Sequence, residues 1–184
     1  MGSPAPTFLF YAGTPICNVN QELNVTGVRV FKSASRCEHV DGPTRSEPDG
    51  RCGLSVAFRV LVVEDFEPFL QFILSMLGKR RDLQVIGEVA DGLEAVREAV
   101  ELKPDLILMD IGLPSLNGIE AARQILKLVP ESKIIFLSQE YSADVVQEAL
   151  RVGAWGYVVK RSAATDLLAA VEAAISGKRF VSST

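Results

Sequence analysis

The chain has 184 residues, 48% of them hydrophobic and 23% charged, with a formal net charge of −4. That length suits one domain of ordinary size plus additional segments, and the slight acidity gives no sign of a nucleic-acid surface. No apolar stretch approaches the roughly 20 residues of a membrane helix and no secretion signal opens the chain, so the expected location is the cytoplasm.

Residues 1–57 hold five of the nine prolines, six of the fourteen glycines and all three cysteines, without a sustained helical period. They read as a loosely structured extension, or equally as a leader or a start set too far upstream. Residues 7–11 and 25–31 have strand-like content, which allows a hairpin or an added edge strand. Cys17, Cys37 and Cys52 are odd in number and show no CxxC spacing, so neither a disulfide framework nor a zinc site is indicated. The sequon Asn24-Val25-Thr26 has no meaning in a cytoplasmic chain.

From Phe58 the pattern changes to strict alternation. Strands are expected at 59–63, 84–89, 106–109, 133–137 and 156–159, each short and apolar, as in a parallel sheet covered on both faces. Helices are expected at 67–78, 93–102, 117–128, 142–152 and 163–176. In the first, Phe69, Leu70, Phe72, Ile73, Met76 and Leu77 recur at helical spacing, with Pro68 suited to the opening turn and Gly78 to the stop. Such stripes are core packing before they are anything else. Five βα units with right-handed crossovers predict an α/β fold, a doubly wound five-stranded parallel sheet of order 2-1-3-4-5.

In such a sheet the ligand site lies at the carboxyl ends of the strands. There the chain places Glu64 and Asp65 after Val60-Leu61-Val62-Val63, Asp110 after Leu106-Ile107-Leu108-Met109, Ser138 after Ile134-Ile135-Phe136-Leu137, and Lys160 after Tyr157-Val158-Val159. Taken alone, Glu64 and Asp65 fit a solvated helix start as well as a site. With Asp110 added, three carboxylates at neighbouring strand ends repel one another unless a cation sits among them. Mg²⁺ suits oxygen ligands of this kind, and the Gly112 backbone carbonyl is placed to add one, although Gly112 also reads as a simple turn residue. Asp110, the single acid at the middle strand, is the better candidate nucleophile toward phosphorus, and the product would be an aspartyl phosphate. Lys160 is the candidate ammonium that offsets developing charge, against the plain alternative of a solvated lysine. Ser138 offers a hydroxyl to a phosphoryl oxygen or caps a loop. Tyr157 reads from propensity as a half-buried strand residue.

Residues 58–177 resemble the receiver domain of bacterial response regulators. The resemblance rests on the pair Glu64-Asp65, on Leu-Met-Asp-Ile-Gly-Leu-Pro around Asp110, on Ser138, and on Gly-Tyr-Val-Val-Lys ending at Lys160, with gaps of 45, 28 and 22 residues from Asp65 onward. Residues 153–160 and 174–180 look most like the NarL/FixJ-type subgroup. The resemblance implies a flavodoxin-like receiver fold and a phosphorelay in which a sensor histidine kinase passes phosphoryl to Asp110 with Mg²⁺. It implies that Asp65 contacts the metal directly and Glu64 through water, and that Ser138 and Tyr157 move together as the switch, altering the surface around the fourth and fifth helices. It leaves a homodimer open. Gln139 and Glu140 would face the route of the hydrolytic water. In that subgroup a DNA-binding output domain normally follows, whereas residues 178–184 read only as the start of a linker, so no DNA-binding module is expected in this chain. The alternative is a stand-alone or degenerate receiver acting as a scaffold. A dehalogenase-type phosphatase would need a second aspartate where Gly112 stands, and a flavodoxin would need a phosphate loop where Glu64-Asp65-Phe66-Glu67 stands. The expected role is therefore a phosphorylatable switch and not an enzyme with a separate substrate.

Overall fold

The computed structural model describes residues 21–25, 28–32, 57–139 and 141–183. Two short strands come first, β1 (Gln21–Val25) and β2 (Val28–Lys32). The alternating part follows as β3 (Phe58–Val63), α1 (Glu67–Leu77), β4 (Leu83–Val89), α2 (Gly92–Leu102), β5 (Leu106–Asp110) and α3 (Gly118–Leu128). It continues with β6 (Lys133–Ser138), α4 (Ala143–Val152), β7 (Gly156–Val159), a 3₁₀ turn (Lys160–Ser162), α5 (Ala163–Ile175) and β8 (Phe180–Val181). The five expected strands are β3 to β7, and they lie in the sheet as β4-β3-β5-β6-β7, all parallel, the expected 2-1-3-4-5 order.

The strand composition explains why both faces are covered. In β3, Leu61 and Val63 pack on the side of α2, α3 and α4, while Val60 and Val62 pack with α1 and α5. In β5, Ile107 and Met109 face the first side and Leu106 and Leu108 the second, and all four are fully or almost fully buried. A period of two with both phases apolar leaves neither face fit for water, and each such side chain contributes about 1.5–3 kcal/mol on burial.

Polar residues set where the helices start. The Asp91 side chain accepts from the Leu93 and Glu94 N–H groups at 2.8 and 3.2 Å, and the Asn117 side chain accepts from Glu120 N–H at 2.9 Å. Each cap satisfies donors that the first turn leaves unpaired.

Two features go beyond the sequence reading. The segment expected at 25–31 supplies most of β2: β1 pairs antiparallel with β2, and β2 extends the sheet antiparallel to β4 through Arg29 opposite Glu88 and Val30 opposite Gly87. The extension is thus structured in part, whereas residues 7–11 lie outside the described residues. Within residues 178–184, read from sequence as the start of a linker, Phe180–Val181 forms β8, parallel to β7, and gives the sheet eight strands among the described residues. Two residues are too few to show an alternating pattern, so β8 left no periodic signal.

Glycine is required by packing where α3 meets the end of β5. A Cβ on Gly118 would overlap the Asp110 carbonyl oxygen and come within 3.0 Å of Ile111 Cα, both backbone atoms that cannot yield cheaply. Gly112 is a contrast, since a Cβ there would meet only Asp110 Oδ2 at 3.8 Å. Gly118→Ala is therefore expected to cost about 3 kcal/mol or more of stability, and Gly112→Ala to cost under about 1 kcal/mol. Denaturant unfolding of the two variants checks this, and equal losses would contradict the packing argument.

Candidate functional site

The carboxyl ends of β3, β5, β6 and β7 bring the expected residues to one end of the sheet. Glu64 follows β3 directly and its N–H donates to Val89 O at 2.9 Å, while Asp110 closes β5 and the next N–H, of Ile111, donates to Leu137 O at 3.1 Å. These rungs to neighbouring strands hold both acids at the rim.

Lys160 ties the acids together. Its Nζ lies 2.7 Å from Glu64 Oε1 and 2.9 Å from Asp110 Oδ2, and the three side chains are nearly dry, with 7%, 0% and 7% of their surfaces exposed. The solvated reading of Lys160 is thereby excluded. The ammonium also sits 4.9 Å from the centroid of the Phe69 ring on α1, an attraction that strengthens when water is absent. Asp110 Oδ1 accepts from Gly112 N–H at 3.2 Å and Glu64 Oε1 from Phe66 N–H at 3.3 Å. Glu64 Oε2 is buried and has no hydrogen-bond partner.

Asp65 is exposed beside this pair, and one carboxylate oxygen each from Glu64, Asp65 and Asp110 lie within 4.8 Å of one another. One ammonium offsets one of three carboxylates, so two negative charges are left over. A divalent cation fits that remainder and would give the orphaned Glu64 oxygen a partner.

Ser138 ends β6, half-buried and opposite Val159 in the β6–β7 register. Tyr157 is fully buried, not half-buried, because β7 is flanked by β6 and β8 and the ring packs on the α4 side among Phe136, Val146 and Ala149. Glycine at 112 is not demanded by its backbone conformation, since it is not among the positive-φ glycines, and what it contributes is its N–H to Asp110. Gln139 is exposed, and Glu140 lies outside the described residues. The sequence reading placed Phe69 in the core stripe and missed its position beneath the Lys160 ammonium; its place one turn after the acidic pair was the available signal.

A family match decides what this arrangement belongs to. Residues 60–172 match the family described as response regulator receiver domain. The chain belongs to that family. Among its relatives are the transcriptional regulatory protein LiaR of Bacillus subtilis, 40% identical over 120 residues that cover 65% of this chain and 57% of LiaR. Response regulator protein VraR of Staphylococcus aureus strain Mu3 is 38% identical, with 67% of this chain and 59% of VraR covered. Both matches span less than two thirds of the relative's length. Among solved structures, a LuxR-family two-component response regulator from Aurantimonas sp. SI85-9A1 has a TM-score of 0.65 at 31% identity, covering 67% of this chain and 89% of that one. The response regulator domain of Thermotoga maritima CheB has a TM-score of 0.59 at 39% identity, covering 65% of this chain and 97% of that one. The receiver is of the NarL/FixJ type, and the family is one of signalling switches. Among the described residues no helix is long and apolar enough to cross a membrane.

Burial pushes the Glu64 carboxyl above its usual range, opposed by the hydrogen bond from Lys160 and assisted by the charge of Asp110. A carboxyl whose folded-state pKa is raised favours the folded state below its ordinary value, and that contribution is lost as pH rises through the raised value. Thermal midpoints between about pH 4 and pH 8, without divalent cations, should therefore decline more for wild type than for Glu64→Gln. Parallel curves would show that Glu64 is not perturbed.

Proposed function

We propose that this receiver is a phosphorylatable switch in which Asp110 accepts a phosphoryl group from the histidine of a sensor kinase. The observation that carries the reading is the dry ammonium of Lys160 shared between Glu64 and Asp110, with a third carboxylate beside them and one buried oxygen left unpartnered. An Asp110 oxygen attacks phosphorus, a new P–O bond forms, and the P–N bond breaks with its electron pair returning to the donor imidazole. The Lys160 ammonium holds Asp110 Oδ2, while Gly112 N–H holds Oδ1. These contacts fix the carboxylate in place at little entropic cost to the reaction.

Glu64, Asp65, Asp110 and the Gly112 carbonyl would hold Mg²⁺, which when bound neutralises charge on the transferring phosphoryl group. Asp65, exposed, is suited to direct contact, and Glu64, engaged by Lys160, to contact through water. Ser138 would then donate its hydroxyl to a phosphoryl oxygen. Tyr157 would repack with it, shifting the population of conformers around α4, β7 and α5. No separate substrate is turned over; slow hydrolysis resets the state.

The relative LiaR is a transcriptional regulatory protein, which supports an output in transcription for this receiver, with a homodimer as a proposed carrier of it. A kinase phosphodonor domain and a promoter as partners would fit a cytoplasmic location. Intact mass after incubation with Mg²⁺ and a small phosphodonor should rise by about 80 Da, one phosphate, in wild type and not in Asp110→Asn. A gain that survives in Asp110→Asn would mean another residue is the acceptor, and no gain in wild type would leave the scaffold reading.

A further inference from the structure

β8 does more than widen the sheet, because its pairing with β7 ends on a side chain. Phe180 N–H donates to Trp155 O at 3.0 Å and Ser182 N–H to Tyr157 O at 2.9 Å, as parallel rungs. At the next rung, Val159 N–H finds no carbonyl and donates instead to Ser182 Oγ at 3.2 Å. The Ser182 hydroxyl donates in turn to Asp166 Oδ2, 2.5 Å away in the first turn of α5. Thr165 Oγ1 lies 2.8 Å from the other oxygen of Asp166. Ser182 and Val159 are each 1% exposed, so the Val159 N–H has no water as a ready substitute, while Asp166 is half-buried and Thr165 exposed.

The direction of the hydroxyl follows from this chain. A serine hydroxyl has one proton; with Asp166 accepting it, the lone pairs of Oγ are turned toward Val159 N–H. The carboxylate makes the hydroxyl a better acceptor, and charge-assisted bonds of this kind are short and strong. Val159 is the residue before Lys160, which opens the 3₁₀ turn leading into α5. The backbone that carries the ammonium is thus gripped from the sheet edge at Val159 and from the helix at Asp166, within one short loop.

We infer that Ser182 and Asp166 are positioning residues for Lys160, and that through them the C-terminal segment of the chain is mechanically joined to the phosphoryl-accepting site. They touch none of the reacting atoms and act only through the backbone at Val159. A Lys160 displaced toward the transferred phosphoryl group would draw on this clamp, and a chain pulled away at residues 180–182 would loosen Lys160. The inference rests on the reading of Asp110 as phosphoacceptor for its consequence in rate, though not for the geometry of the clamp.

Ser182→Ala leaves the Val159 N–H and the Asp166 carboxylate without their shared partner, and Ser182→Thr restores the hydroxyl. The expected result for Ser182→Ala is about a tenfold slower gain of phosphate from a small phosphodonor. Mg²⁺ affinity should stay within about twofold of wild type, since no carboxylate of the cluster has been altered. The Lys160 amide and Nζ signals in NMR spectra of the unphosphorylated protein should shift, and Ser182→Thr should return rate and signals toward wild type. A purely structural role would lower the thermal midpoint without moving the Lys160 signals. Ser182→Ala that folds, takes phosphate at the wild-type rate and leaves Lys160 unshifted overturns the inference. If wild type takes no phosphate while Ser182→Ala still shifts Lys160, the clamp stands and the phosphoacceptor reading fails.

Discussion

The structure of the site depends on one buried cation. Lys160 stands between Glu64 and Asp110 where almost no solvent reaches, and without it two carboxylates would face each other in a poor dielectric. Breaking a buried pair by removing one partner typically costs about 3–5 kcal/mol, because the charge left behind has nothing to replace water. The ammonium is therefore structural, and under the proposed function it is chemical as well. It makes the acidic pair tolerable in the resting state, and it stands ready where negative charge would be added by a phosphoryl group.

The scaffold makes this arrangement at small expense. Four parallel strands end at the same rim, so a polar residue placed just after each apolar run arrives at the common edge without any long excursion of the chain. The apolar runs are buried on both faces and cannot slide, since a slip of one residue would exchange the two packed sets Leu61 and Val63 against Val60 and Val62. Rigidity at the strand ends is inherited from that packing. Gly118 completes the frame by letting α3 approach the Asp110 backbone more closely than any other residue would allow.

Most of this was legible in the sequence because the signals were local. An apolar run ending in Asp110 or Lys160 announces both a strand and its exposed terminus, and the alternation of runs fixes the order of the sheet. What was not legible required partners distant in sequence or too short to have a pattern. Phe69 shows the apolar period of a core helix and nothing in that period tells that an ammonium lies on its ring. Tyr157 was underestimated because its burial comes from Phe136, Val146 and Ala149, neighbours that local propensity does not show. Ser182 carries no motif at all; its role appears only when the 23-residue separation from Val159 is closed by the fold. Of the hairpin only the β2 side was sensed through β-prone residues, and its attachment to β4 is a matter of tertiary pairing.

The central claim is that Lys160 and a divalent cation answer to the same carboxylates. Mg²⁺ affinity of Lys160→Met, measured by titration calorimetry against wild type, tests it most directly. Removing the ammonium leaves three carboxylates with no internal counterion, so Mg²⁺ should bind about tenfold tighter or more even as phosphoryl acceptance is lost. Affinity that is unchanged or weaker in a folded Lys160→Met protein would contradict the account.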